Sequence, residues 1–249
     1  MKIKNGFLLV IFFLIANSTT AKELIFNYSP GNAEPYVFLT REGSNVTLSS
    51  GILKDIVDGL GDELGASIVY TKLPRKRMEH ELKQGHIHGV CIWNPLWVSD
   101  AGNYDWSIPL FEEMNLFVSK KENAFSIKSF DDLNGKRLGA ILGYYYVGLM
   151  DRFKQKFIFR DDVYTLQQNF RKLEKNRIDL LIDSNILIEY YLSSHNAHDQ
   201  FSIGEKIASK HEIYCGFSKK SPFPISQINA AFKRMKERGD IETILRKYR

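Results

Sequence analysis

The sequence predicts an α/β protein of two lobes, each a mainly parallel sheet flanked by helices, the two joined by a pair of extended crossings. Three observations carry that prediction. Short apolar runs alternate with helical patterns along most of the chain, which is the grammar of parallel sheets covered by helices. The β-α-β-α-β pattern restarts once, after residue 113. Two extended segments, 114–121 and 212–220, each end an apolar run with Ser-Lys-Lys and lie where crossings between lobes are needed.

The elements follow in order. LIFNYS (24–29) reads as the first strand. GILKDIVDGLGDELG (51–65) is a helix that places Ile52, Leu53, Ile56, Val57, Leu60 and Leu64 on one face. SIVYTKL (67–73) is a strand, and PRKRMEHELKQG (74–85) a short helix with proline at its start and glycine just past its end. HGVCIW is a buried strand that runs into WNPLWVSDAGNYDW (93–106), which holds all three tryptophans. Proline, glycine and two aspartates forbid a core strand over that whole stretch, so it reads as a loop offering aromatic side chains. In the second unit the predicted elements are a strand at 136–143, a helix at 145–154, and a strand around 157–159. A helix at 164–175, a strand at 178–183 and a helix at 185–194 follow. Amphipathic segments 225–237 and 240–248 finish the chain. Lobe 1 is expected over 22–113 and 215–249, lobe 2 over 114–214, with hinge strands near 112–120 and 212–219. In open sheets of this kind ligands sit beyond the carboxyl ends of the strands. The tryptophan loop is therefore expected to face a cleft between the lobes.

Composition bounds what the chain does. Lys2 and Lys4, the unbroken apolar run Phe7 to Ala16, and Thr19-Thr20-Ala21 form a cleavable secretory leader over 1–21. That run is ten residues, half the ~20 needed to cross a bilayer. No stable membrane insertion, a periplasmic location and a monomer are expected. The formal charge of +5 falls to about +3 without the leader, and no long basic stripe is present, which argues against nucleic acid. Cys91 and Cys215 are the only cysteines; two buried thiols and a bridge between distant segments both remain open, because spacing does not fix the Cα separation. His86 and His88 share a strand face but have no further ligand cluster nearby in sequence, so no metal is expected. Hydrolase and nucleotide signatures are missing, and no cofactor or catalytic residue is expected.

Several weak motifs in a fixed order resemble one family. Pro35-Tyr36 with Phe38 is similar to a Pro-Pro-Phe element after the first strand; Gly51 with Asp55, and Leu73-Pro74 followed by Arg77, Leu82 and Gly85, match further elements. Trp106-Ser107-Ile108-Pro109 resembles Phe-Ser-x-Pro. Asp132 to Gly139 resembles Asp-Leu-x-Gly-Lys-x-Val-Gly, Arg177 to Asp183 resembles x-Val-Asp-(three apolar)-Asp, and Ile241 to Tyr248 resembles a closing Ile-x-x-Lys-Trp/Tyr. The family is the extracellular solute-binding proteins, family 3, receptors of polar amino-acid ABC importers. The resemblance implies a type II periplasmic-binding-protein fold, a small-molecule ligand clamped by hinge closure, and an ABC transporter permease as partner.

It also implies where the ligand sits. Asp183 stands where the family's acid meets a ligand ammonium; its quieter reading is an N-cap for the following helix. The family's carboxylate-forking Thr-x-x-Arg falls on Trp97 and Asp100 here, and its small Gly-Ser/Thr donor element is Gly143-Tyr144-Tyr145-Tyr146. The anionic half of amino-acid recognition is therefore altered. The expected binding residues are Tyr28, Tyr36, Arg77, Trp93, Asn94, Trp97, Tyr144, Tyr145 and Asp183, walling a cleft that favours a flat or apolar body with a positive group. Trp106 reads as core, and Arg77 has a solvated-helix alternative. A dehydratase-like enzyme and a sensory receptor subunit are the competing functions on the same scaffold.

Overall fold

The computed structural model describes residues 21–29 and 33–249, so the leader expected over 1–21 lies outside the described residues except for Ala21. The first half opens with strand β1 (Glu23–Tyr28), then a hairpin of β2 (Phe38–Glu42) and β3 (Asn45–Ser50). Helix α1 (Ile52–Leu64), strand β4 (Ser67–Lys72), helix α2 (Arg75–Gln84) and strand β5 (Gly89–Trp93) follow, then a short β6 (Tyr104–Trp106). Strand β7 (Phe111–Lys120) leads to the second half: β8 (Arg137–Ile141), α3 (Met150–Lys154), β9 (Phe159–Val163), α4 (Leu166–Glu174), β10 (Leu180–Ser184) and α5 (Asn185–Ser194). Strand β11 (Phe201–Ser218) returns, and α6 (Ile225–Arg238) and α7 (Asp240–Lys247) close the chain.

Each half has three parallel strands, β4-β1-β5 and β10-β8-β9, as the alternating pattern predicts. The two crossings do more than connect them. β7 and β11 pair antiparallel along most of β7, and β11 runs on to pair with β5 while β7 pairs with β10. One continuous sheet of order β4-β1-β5-β11-β7-β10-β8-β9 results, with β6 on β11. Because β11 is 18 residues long, one strand hydrogen-bonds into both halves. Any relative motion of the halves must bend this shared ribbon.

The helix and strand choices follow local chemistry. α1 buries Ile52, Leu53, Ile56, Val57 and Leu60 and ends at Gly65 in the left-handed region, φ 60°. α4 starts on a capping box, Thr165 with Gln168. Ser184 caps α5 by accepting from the Ile186 amide. Phe26, Phe217 and Phe232 fill the first half's interior, while Phe170 lies flat on Tyr191 at 3.8 Å between ring centres in the second.

Three expectations are corrected. The hairpin β2–β3 lies where no element was expected; its alternating residues turn at Gly43, φ 61°. The helix expected at 145–154 exists only as Met150–Lys154. Gly143 and Gly148 at φ 82° and 79° interrupt it, and the Tyr146 hydroxyl accepts from the Ile141 amide at 2.9 Å, folding the segment back into a turn. The strand around 157–159 begins later, at Phe159, after Lys156 at φ 61°.

Cys91 and Cys215, directly opposed on β5 and β11, form a disulfide across 124 residues of sequence. Both are buried. The bridge fastens the shared strand to the first half at the point where the ladder shifts register, between Tyr214 and Cys215.

Candidate ligand seam between the halves

Tyr36 enters from the first half. Its loop is held by the start of α1, where the Ile52 and Leu53 amides donate to the carbonyls of Pro35 and Tyr36 at 3.0 and 3.1 Å. Only glycine permits that approach at position 51: φ is 126°, and a Cβ there would meet the Tyr36 carbonyl oxygen at 2.5 Å. Tyr248 adds a clasp from the C-terminus, its hydroxyl accepting from the Gly51 amide and donating to Asp55. Thus Gly51, Asp55 and Tyr248 act together to seat Tyr36.

The Tyr36 hydroxyl donates to Glu113 Oε2, a residue of the shared strand β7. The register carries this face onward, since Glu113 lies opposite His211, and Asn115 opposite both Ser209 on β11 and Ser184 on β10. Directly opposed residues share a face. Asn115 Nδ2 donates to Ser209 Oγ at 2.9 Å and contacts His211 Nε2 at 3.3 Å, so the row is hydrogen-bonded across the two ribbon strands. Asp183 closes the group from the second half. It is 3% exposed; Oδ1 accepts from the Ser184 amide at 2.8 Å, and Oδ2 has no partner.

The electrostatics are those of acids without a counter-charge. Burial, with the Glu113 charge added, pushes Asp183 up to about 7, against the lowering effect of the Ser184 amide. Burial also raises Glu113, opposed by its hydrogen bonds from Tyr36 and Ser184. Tyr36 rises well above the usual phenol range through burial and the two carboxylates. Burial lowers His211, which lies opposite Glu113 in the register. Among the described residues, no lysine or arginine bears on Asp183, Glu113 or Tyr36.

The expected site residues divide. Tyr36 bonds to Glu113, and Asp183, opposite Leu116 in the register, interacts with both through charge alone. The N-cap reading of Asp183 falls away because Ser184 is the cap. Trp97, part-exposed, stands beside His211 with ring centres 6.0 Å apart. Asn94 stands at the edge of the shared ribbon, but its side chain is committed: Nδ2 donates to the Glu212 carbonyl at 2.7 Å, and Oδ1 accepts from the Leu96 amide. Tyr144 and Tyr145 are exposed on the turn after β8, with Tyr145 at 73%; Tyr146 is the ring of that trio that is buried.

Others stand elsewhere. Trp93 is a core residue, 3% exposed, packed on Tyr104 and Trp106 and lying on Gly216, where a Cβ would meet its ring at 2.7 Å. The expectation that the tryptophan loop faces a cleft is therefore corrected for Trp93, while Trp106 packs against the core cluster as read from the sequence. Tyr28 turns under the hairpin, its hydroxyl donating to the Val46 carbonyl. The Arg77 side chain is 67% exposed and pairs with Glu81, the solvated-helix alternative. Asp100 accepts from Asn103 within its own turn. His88 accepts the Ile25 amide and His86 pairs with Glu81, so the two imidazoles are separately engaged.

Glu113, Ser184 and His211 were not singled out from sequence. The available signal was a polar side chain at alternate positions of otherwise apolar crossing strands; it becomes a site only once register is known.

Two halves on a shared antiparallel ribbon, with a polar buried group at their junction, define the class of two-lobed ligand-binding proteins. The chain belongs to the bacterial extracellular solute-binding proteins, family 3, whose description matches residues 28–249. It is 23% identical over 219 residues to the L-cystine-binding protein TcyA of Bacillus subtilis, covering 88% of this chain and 78% of that protein. Among solved structures it resembles substrate-binding domain 2 of Lactococcus lactis GlnP in an open conformation, with TM-score 0.67 and 18% identity over 91% of this chain and 95% of that one. It likewise resembles an ancestral arginine-binding protein bound to arginine, with TM-score 0.66 and 22% identity over 91% and 97%. At these identities the structural likeness speaks to the fold, which is the two-lobed type II arrangement expected from the sequence. No helix among the described residues is long and apolar enough to cross a membrane.

Proposed function

We propose that this protein is the exported solute-binding component of an ABC importer, capturing a small amine-bearing or amino-acid-like solute between its two halves and presenting it to the permease. The observation that carries the reading is Asp183: a buried carboxylate with one oxygen unpartnered, at the junction of two halves that share a hinge ribbon. A buried acid in that state lacks a donor, and a protonated amine supplies one. The halves run from 22 to 113 with 215–249, and from 114 to 214, the hinge being β7 with β11. We assign Trp97, beside His211, and the exposed tyrosines at 144 and 145 to the solute body, for which they offer flat apolar surface. The role is binding without catalysis.

A thermal-shift screen over amino acids, amines and short peptides tests this, because a bound solute stabilises the folded chain by RT ln(1 + [L]/Kd). The expected result is a raised melting temperature for a cationic solute, recovered unchanged afterwards. Conversion of that solute to a product would favour the dehydratase-like alternative, and no stabilisation by any solute would overturn the receptor reading.

A further inference from the structure

The seam contains a second acid that the family resemblance did not assign. Glu113 sits on the shared ribbon where the first half ends, turned toward Tyr36 and Ser184 and opposite His211. Asp183 and Glu113 bracket Ser184: one is its chain neighbour, and the other is two positions along β7 from Asn115, which opposes Ser184. Both acids are held by neutral donors alone. Asp183 takes the Ser184 amide, and Glu113 takes the Tyr36 hydroxyl.

The basic residues that would recognise a ligand carboxylate are committed elsewhere. Arg77 pairs with Glu81 on the outer face of α2. Arg160, the guanidinium nearest the turn after β8, donates to the Ile141 and Tyr144 carbonyls and pairs with Asp162. Where a carboxylate-forking arginine would stand there is Asp100, bonded within its own turn. A ligand carboxylate at this seam would meet two acids and, among the described residues, no cation acting on them, each such approach costing several kcal/mol in a poorly hydrated site.

We propose that the solute bears two separated positive groups and no carboxylate, one group held at Asp183 Oδ2 and the other at Glu113, as in a short aliphatic diamine or a guanidino-amine. Glu113 is then the specificity-determining residue. It selects the second charge, while Tyr36 orients it by occupying one oxygen. The inference rests on the receptor reading above.

The experiment is isothermal titration of the full mature protein with three matched pairs that differ only by the α-carboxylate: putrescine with ornithine, cadaverine with lysine, and agmatine with arginine. The expected result is that at least one carboxylate-free member binds about tenfold or more tightly than its partner. Glu113→Gln, which keeps the hydrogen bond from Tyr36, is expected to weaken that diamine about tenfold while leaving a monoamine of equal length within about twofold. The wild-type comparison needs no variant, so a failure of Glu113→Gln to fold would not remove the test. An amino acid that binds as tightly as its decarboxylated partner overturns the inference. So does a Glu113→Gln protein that loses monoamine and diamine equally, since that marks a structural role. If none of the six binds while some other solute stabilises the protein, this inference fails and the receptor reading stands; if no solute of any class binds, both fail.

Discussion

Replacing Asp183 by asparagine separates what the seam does for function from what it costs the fold. The wild-type carboxyl shifts from 3.8 to about 7 on folding, about three units, so keeping it ionised in the folded state costs at most about 4 kcal/mol. The folded value lies above the unfolded one, so the cost is absent below about pH 4, grows between pH 4 and 7, and is complete above pH 7. Asparagine retains an acceptor for the Ser184 amide and carries no charge. Relaxation around the wild-type acid reduces the full figure, and about 2 kcal/mol is the expected gain at pH 8, equivalent to about 4–8 °C for a chain of this size. The assay is thermal unfolding of both proteins, without solute, at pH 4 and pH 8. Asp183→Asn is expected to melt higher at pH 8, to melt close to wild type at pH 4, and to lose the stabilisation that a cationic solute gives. A variant that melts at or below wild type at pH 8, or a gap that does not change with pH, would refute the reasoning that this acid is an uncompensated buried charge.

Other parts of the structure make independent predictions. Replacing Cys91 and Cys215 together by alanine removes the bridge between β5 and β11 and should cost about 2–5 kcal/mol, read from the midpoint of urea unfolding. Gly89→Ala drives a methyl to 2.3 Å from the Phe26 ring, which is packed edge-on against Phe217; the overpacking should cost about 1–3 kcal/mol in thermal unfolding. Trp93→Phe should lower stability by about 1–3 kcal/mol and leave the solute-induced fluorescence change intact. Trp97→Phe should abolish that change with little effect on stability, because Trp97 stands at the seam edge and Trp93 in the core.

The comparison of Trp93 with Trp97 shows where the sequence stops being legible. Trp93 ends a buried strand and Trp97 follows it, each two residues from Pro95, and nothing in that spacing says which ring is buried. What separates them is local: Ile92 takes φ 58°, a costly conformation for a β-branched residue, and β11 shifts register beside it. Alternation therefore does not predict which way Trp93 points. The regular elements are readable because their periodicity reflects which face is buried, as in α1 and α4. The helix expected at 145–154 loses its first turn because Tyr145, Tyr146 and Leu149 mimic a helix face while Gly143, Gly148 and the back-folded Tyr146 hydroxyl make a turn. Asp183 was found because its motif is local in sequence. Glu113 was not, because it becomes part of a site only through the pairing of β7 with β10 and β11 and the arrival of Tyr36 from another element. Long-range register of this sort is tertiary information that no local pattern contains.

Amide hydrogen exchange with and without a stabilising solute tests the central claim most directly, since it reports both halves at once. The account predicts slowed exchange together at 36–37 in the first half, 113–115 on the ribbon and 183–186 in the second, with the effect lost in Asp183→Asn. Protection confined to one half, or unchanged by that substitution, would contradict it.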